Sequence, residues 1–245
     1  MEITVLGKFG PYPGPGGACS GYLFKSDEAK ILLDCGNGTL SRLQQIIHSF
    51  EDLDLIILTH LHSDHISDAM VLRYAIGINK MNGTNKKSIP LYAPSTPDED
   101  FEKLQFQNAF QLKKIEENMQ FSFKDCSIEF KPMNHPIPCY GLEIKAGGKK
   151  FVYSGDTRYC EAIVDLCKDA DLFLCESGVL EKDKTATTAH LSAREAGEIA
   201  KKSDVKKLLL THFWPEYDLD DIYCEARAFF QGDLELSEEM KTYFV

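Results

Sequence analysis

The chain has 245 residues, 43% hydrophobic and 27% charged, with a formal net charge of −11. That length and balance fit one α/β domain with a sizeable core, and no apolar run is long enough to span a membrane. The acidic surplus repels polyanions, and the basic pairs (Lys86-Lys87, Lys149-Lys150, Lys201-Lys202, Lys206-Lys207) are scattered, so a nucleic-acid-binding stripe is not expected.

The opening MEITVLGKFG has no basic stretch ahead of an apolar core, so it reads as a strand and not as a secretory signal. Ile3 and Val5 fall on one face of it, Thr4 and Leu6 on the other. Strands at 2–6, 21–25 and 30–34 precede a helix at 39–49. The Pro/Gly-rich segment 10–17, GPYPGPGG, reads equally well as a surface turn or as a lip over a site. The apolar run 53–59 is a buried strand, followed by a helix from His65 to about Met81, a strand at 89–93 and a helical segment at 98–117. Short strands follow around 119–133, at 141–146 and at 150–154, then a helix at 159–168 and a strand at 170–177. A helix at 191–204, a strand at 205–213, the helix DDIYCEARAFF and a strand-like tail from Gly232 complete the chain. Two halves thus each supply a sheet with helices outside it. The eight cysteines show no CxxC spacing, and several lie in apolar strands; with no export signal, reduced thiols and a cytoplasmic location are expected.

Chemistry concentrates at THLHSDH, residues 59–65, which holds three of the seven histidines. In an extended chain His60 and His62 point the same way, while Asp64 and His65 fall where the chain turns into a helix. Three imidazoles and a carboxylate are too many for one small ion and suit two adjacent metal ions. Further donors stand just past other apolar strands: His135 in KPMNHPIP, Asp156 in YSGDT and His212 in LTHFW. A carboxylate such as Asp156 can bridge two cations. Imidazole and carboxylate donors suit zinc first, with manganese or iron as alternatives.

HLHSDH resembles the HxHxDH signature of the metallo-β-lactamase superfamily, as does the ordered set Asp34, HLHSDH, His135, Asp156 and His212. The resemblance implies a four-layer αββα sandwich. It implies one metal on His60, His62 and His135, a second on Asp64, His65 and His212, Asp156 between them, and Asp34 orienting a ligand histidine. HLSAREAG, with His190, and DLFLCES, with Glu176, are similar to motifs of the ribonuclease Z-like branch. There the histidine would protonate the leaving group and the glutamate would hold and charge it. His48 remains as a structural histidine on an amphipathic helix.

The expected reaction is hydrolysis by metal-activated water, with Asp64 orienting the nucleophile. Ribonuclease Z proper carries a basic arm between the equivalents of His135 and Asp156; here 21 positions separate them, enough for a strand pair alone. A small phosphodiester, such as a cyclic or short nucleotide, is therefore the expected substrate. Phe213, Trp214 and Pro215 could offer its base a flat surface. The alternatives are a lactone hydrolase, for which Tyr140 or Tyr153 would be the tyrosine near the metals, a thioester hydrolase, a transfer RNA 3′-end endoribonuclease, and a protein that uses metal only as a staple. By resemblance, a homodimer is expected.

Overall fold

Alternation along the strands decides the layers. In the first strand Ile3 and Val5 point into one apolar cluster and Leu6 into another; Leu172 and Leu174 likewise separate from Phe173 and Cys175. The computed structural model describes residues 1–245. The first half gives strands β1 (Glu2–Gly7), β2 (Gly21–Lys25), β3 (Lys30–Leu33), β4 (Leu55–Ile57), β5 (Ile89–Ala93) and β6 (Phe110–Lys114), with helices α1 (Thr39–Leu43), α2 (Ser63–Met81) and α3 (Asp98–Lys103). The second half gives β7 (Gln120–Phe123), β8 (Cys126–Pro132), β9 (Tyr140–Ala146), β10 (Lys149–Tyr153), β11 (Leu172–Glu176), β12 (Lys207–Thr211) and β13 (Asp233–Leu236), with α4 (Glu161–Cys167), α5 (Ala193–Lys202) and α6 (Leu219–Phe229). The last strand, β14 (Thr242–Phe244), returns to the first sheet.

One sheet runs β14-β1-β2-β3-β4-β5-β6 and the other β13-β12-β11-β10-β9-β8-β7. Each is antiparallel at one end and parallel at the other. The two sheets face each other across Tyr22, Phe24, Phe151, Tyr153, Leu172 and Leu209, while the helices cover the outer faces. This is the αββα sandwich, and burying each such side chain contributes about 1.5–3 kcal/mol. No helix is long and apolar enough to cross a membrane.

Three local expectations are corrected. The helix expected over 98–117 ends at Lys103; Gln107 and Asn108 take left-handed backbone (φ 48° and 53°), and Phe110–Lys114 pairs in parallel with β5. The helix expected over 39–49 stops at Leu43, because Asp52 accepts hydrogen bonds from the backbone N–H groups of His48 and Ser49 and draws them into the next turn. His48 therefore lies in an exposed turn, off any helix. The strand-like tail is two strands, one on each sheet.

What positions the site is the parallel part of both sheets. Asp34 follows β3, Thr59 to His62 follow β4, Asp156 follows β10, Glu176 ends β11 and His212 follows β12. These ends meet along one edge of the sandwich, the usual place for ligands in α/β sheets.

Candidate metal centre

The turn between β4 and α2 carries the first donors. His62 is the N-cap of α2, and Asp64 and His65 lie in its first turn, where a carboxylate is favoured by the helix dipole. His62 Nδ1 stands 3.1 Å from both His60 Nε2 and His135 Nε2. His62 Nδ1 can carry only one hydrogen, so at least one of these contacts sets lone pair against lone pair, an arrangement that a cation among the three nitrogens relieves. Tetrahedral ligands about 2.0–2.1 Å from zinc would sit about 3.3 Å apart, close to this spacing. Beside them, Asp64, His65, Asp156 and His212 form a second group whose donor atoms all lie within 4.8 Å of one another. His212 Nε2 is 3.2 Å from Asp64 Oδ2 and 3.3 Å from Asp156 Oδ2. Asp156 Oδ2 is also 3.6 Å from His60 Nε2, so this carboxylate lies between the groups.

The buried polar atoms test whether a metal fits. His65 Nε2 and Asp156 Oδ1 are 3.4 Å apart, both buried, and neither has a hydrogen-bond partner. Unpaired buried polar atoms are costly, and a cation between two acceptors satisfies both. The tautomers agree. His65 Nδ1 donates to Asp34 Oδ2 at 2.7 Å, His135 Nδ1 to the Ala189 carbonyl at 3.3 Å, and His60 Nδ1 faces Thr59 Oγ1 at 3.1 Å, so each Nε2 presents a lone pair. Burial lowers the pKa of His60 well below the usual imidazole range and that of His135 to about 4, keeping both neutral, as ligands must be. His65 behaves oppositely: burial would lower its pKa, but Asp156, Asp64 and Asp34 outweigh burial and push it well up. The pocket thus demands positive charge.

Asp34 is the hub of the support. It holds φ 54° and accepts from Thr59 N–H (2.7 Å), Thr59 Oγ1, His65 Nδ1 and Tyr153 Oη (2.8 Å). His212 also has left-handed backbone, φ 58°. Such backbone recurs at sites whose surroundings over-determine it.

His190 and Glu176 lie next to the donors. His190 Nδ1 is 3.1 Å from Glu176 Oε2, which leaves Nε2 free, and its ring stacks on His212 at 5.1 Å. Glu176 is fixed in turn by the Thr157 N–H at 2.6 Å. Burial would lower the His190 pKa, but Glu176, helped by Asp156 and Asp64, lifts it to about 9. A cavity of ≈ 280 Å³ opens beside His190 and His212, with Gly10, Pro11 and Trp214 in its wall. The start of the 10–17 segment, Gly10 and Pro11, thus forms part of the cavity wall. A side chain at Gly10 would collide with the His212 ring, its Cβ falling 2.0 Å from Nε2.

All nine residues singled out in the sequence (His60, His62, Asp64, His65, His135, Asp156, Glu176, His190 and His212) therefore meet at one edge. Two neighbours did not fit their expected places. Tyr153 is fully buried and donates to Asp34, and Tyr140 packs edge-on to Phe130 at 6.4 Å; neither lines the cavity. Phe213 is in the helix-side core, so of Phe213, Trp214 and Pro215 only Trp214 lines the cavity. Thr59 and Gly10 went unread, although Thr59 directly precedes the motif and Gly10 opens the loop.

Fold and donor set together define a metal-dependent hydrolase. Residues 29–213 match the β-lactamase superfamily domain, and the chain belongs to that superfamily. It is 31% identical to the probable metallo-hydrolase YhfI of Bacillus subtilis over 97% of both chains. The crystal structure of YhfI superposes with a TM-score of 0.94, covering 99% of this chain and 98% of that one. Ribonuclease Z of Clostridioides difficile is 28% identical, with 92% of each chain covered. That alignment runs over 284 positions, more than the 245 residues here, so that enzyme carries insertions this chain lacks. The short form of human tRNase Z shares the fold, with a TM-score of 0.78, 24% identity and coverage of 100% and 99%.

Proposed function

We propose that the protein hydrolyses a small phosphodiester, using two divalent cations, zinc by preference, and His190 as the proton donor. His60, His62 and His135 would hold one cation, Asp64, His65 and His212 the other, with Asp156 shared. When bound, such ions lower the pKa of water to about 7 and neutralise phosphoryl oxygens. The chain's own residues supply the rest. Asp34, Thr59 and the Ala189 carbonyl fix the imidazole tautomers. Asp64 can orient the attacking water. Glu176 keeps His190 protonated, and Nε2–H of His190 is free to protonate the departing oxygen.

The observation that carries this reading is the His190–Glu176 pair: Nδ1 of His190, held by Glu176, lies 3.8 Å from Asp156 Oδ2, which sets the ring beside the metal donors with Nε2 uncommitted. An alkoxide leaving from phosphorus needs such a proton, and general acids of this kind contribute about 10²–10⁴-fold. A lactone hydrolase has less support, because neither Tyr140 nor Tyr153 lines the cavity beside His190. A metal staple is disfavoured because structural zinc sites are closed and usually cysteine-rich. A polynucleotide substrate is disfavoured by the net charge of −11 and by the β9–β10 connection, where Gly147 and Gly148 (φ 55° and 75°) turn the chain with no room for an arm.

The test compares leaving groups on the zinc- or manganese-loaded protein. His190→Ala should lower kcat on an alkyl phosphodiester by about 10²–10⁴-fold, and much less on bis(p-nitrophenyl) phosphate, whose leaving group needs no proton. Metal content should stay unchanged. Turnover of a lactone or thioester that ignores this substitution, with no phosphodiester turnover, would overturn the reading.

A further inference from the structure

The cavity beside His190 has a chemistry of its own. Trp214, 38% exposed, presents its ring there, and its orientation is fixed: indole Nε1–H donates to Tyr12 Oη at 3.0 Å, which donates to Glu216 Oε1 at 2.8 Å. With its one polar atom committed, Trp214 offers an apolar face. Tyr217 stands edge-on to it at 5.5 Å and 89°. Asp183 also lines the cavity, beside the Tyr217 phenol, whose pKa is raised by burial and then by that carboxylate. No lysine or arginine lines the cavity. The nearby Arg158 donates instead to the carbonyls of Thr188 (2.8 Å) and Thr187 (3.2 Å), and Lys184 pairs with Glu195.

These features select a ligand class. A flat aromatic wall suits a base-sized π-system, since stacking is indifferent to base identity. The Asp183 carboxylate, exposed and partly engaged by the Tyr217 phenol, keeps oxygen lone pairs that accept from N–H groups; with no Lys or Arg in the lining, it repels a second phosphate. The volume, ≈ 280 Å³, lies just below the usual range for small-molecule sites, about 300–1,000 Å³, which limits it to about one nucleoside.

We propose that this cavity receives a nucleobase bearing an exocyclic amino group, stacked on Trp214 with the amino group donating to Asp183. The inference rests on the phosphodiesterase reading and deepens it. The substrate class is a nucleoside phosphodiester with a single phosphate, such as a 3′,5′-cyclic nucleotide, whose base is adenine, guanine or cytosine. Uracil presents a carbonyl oxygen where the amino group of adenine or cytosine would be, which faces the Asp183 carboxylate without a bond, and its one base-edge donor, the ring N3–H, is displaced from that position. With the cavity on the His190 side of the donors, the ribose oxygen released on ring opening lies on the side from which His190 can protonate it, and it stays on the same nucleoside as the phosphate.

The experiment measures kcat/KM of the metal-loaded protein for 3′,5′-cyclic AMP, 3′,5′-cyclic UMP and bis(p-nitrophenyl) phosphate. Cyclic AMP should exceed cyclic UMP by about tenfold, the size of one hydrogen bond to a charged group. In Asp183→Ala that ratio should fall toward one. In Trp214→Leu both cyclic nucleotides should lose kcat/KM while their ratio persists. A readout independent of turnover is available, because Trp214 is the sole tryptophan: a hydrolysis-resistant cyclic AMP phosphorothioate should quench its emission. Equal kcat/KM for the two nucleotides, a ratio unmoved by Asp183→Ala, or unchanged emission would each overturn the inference. Turnover of bis(p-nitrophenyl) phosphate but of neither cyclic nucleotide would sink the inference alone. Absence of all phosphodiester turnover would sink the parent reading with it.

Discussion

Asp34 offers no donor to the ions, yet three residues deliver hydrogens to it, and Asn in its place could not accept them all. Asp34→Asn should therefore weaken metal binding about 10–100-fold. Leaving buried donors unpaired should also cost about 1–3 kcal/mol of stability, read as a lower Tm. Gly10 makes a different prediction. Gly10→Ala should displace His212 and halve the metal content, with the far-UV spectrum preserved. Glu176 governs pH dependence. Glu176 raises the pKa of His190, so the donor is charged below about 9 and loses its proton as pH rises through that value. Glu176→Gln should move the alkaline limb of kcat to lower pH. Bound cations pull that limb down in both proteins, so the sign of the difference stands; an unmoved limb would remove Glu176 from this role. At this scale the donors were legible because His and Asp at strand ends are rare and chemically loud. Thr59, Gly10 and the commitment of Tyr153 to Asp34 were not, since a backbone N–H, a missing side chain and a buried phenol acquire meaning only from their neighbours in space.

Among the elements, α5 ties stability to the site. Ser192, two residues after His190, caps it with a reciprocal pair: Ser192 Oγ accepts from Glu195 N–H at 3.1 Å, and Ser192 N–H donates to Glu195 Oε2 at 3.0 Å. Ser192→Ala should cost about 1 kcal/mol. It should also lower kcat for alkyl phosphodiesters, because the loop carrying His190 loses its anchor, and Ser192→Thr should restore both. The helical spacing of Ala193, Ala196, Ile199 and Ala200 made this helix readable from sequence. The segment 104–114 was not. Its Leu, Gln, Ala and Lys residues argue for continuation of α3, yet Phe110 and Leu112 turn inward on an edge strand whose exposed lysines, Lys113 and Lys114, guard against pairing with other chains. Hydrogen bonds to β5 decide that strand, and local propensity carries no record of them.

For the whole molecule, the division into two sheets with outer helices followed from strand order and alternation, while the return of β14 to the first sheet did not. Tyr243 on β14 is buried between the sheets, and its hydroxyl accepts from Glu238 N–H and donates to the Leu236 carbonyl. A separate clasp joins the sheets through the β7–β8 turn, where Lys124 reaches Asp54 at 2.6 Å. Burial would raise the Asp54 pKa, but Lys124, the Lys30 N–H and Lys87 prevail and hold it below the usual carboxylate range. Its contribution is present above about pH 4 and disappears as pH falls through the depressed value. Asp54→Asn should lower Tm at neutral pH and converge with the parent protein in stronger acid.

The central claim is that chain-distant residues cage a pair of divalent cations that hydrolysis requires. Elemental analysis of the purified protein, paired with turnover of a phosphodiester before and after chelation, tests it directly. The account predicts about two equivalents of transition metal per chain, loss of turnover with their removal, and its return on reloading. Protein that carries no transition metal, or that hydrolyses phosphodiesters undiminished after complete chelation, would contradict it.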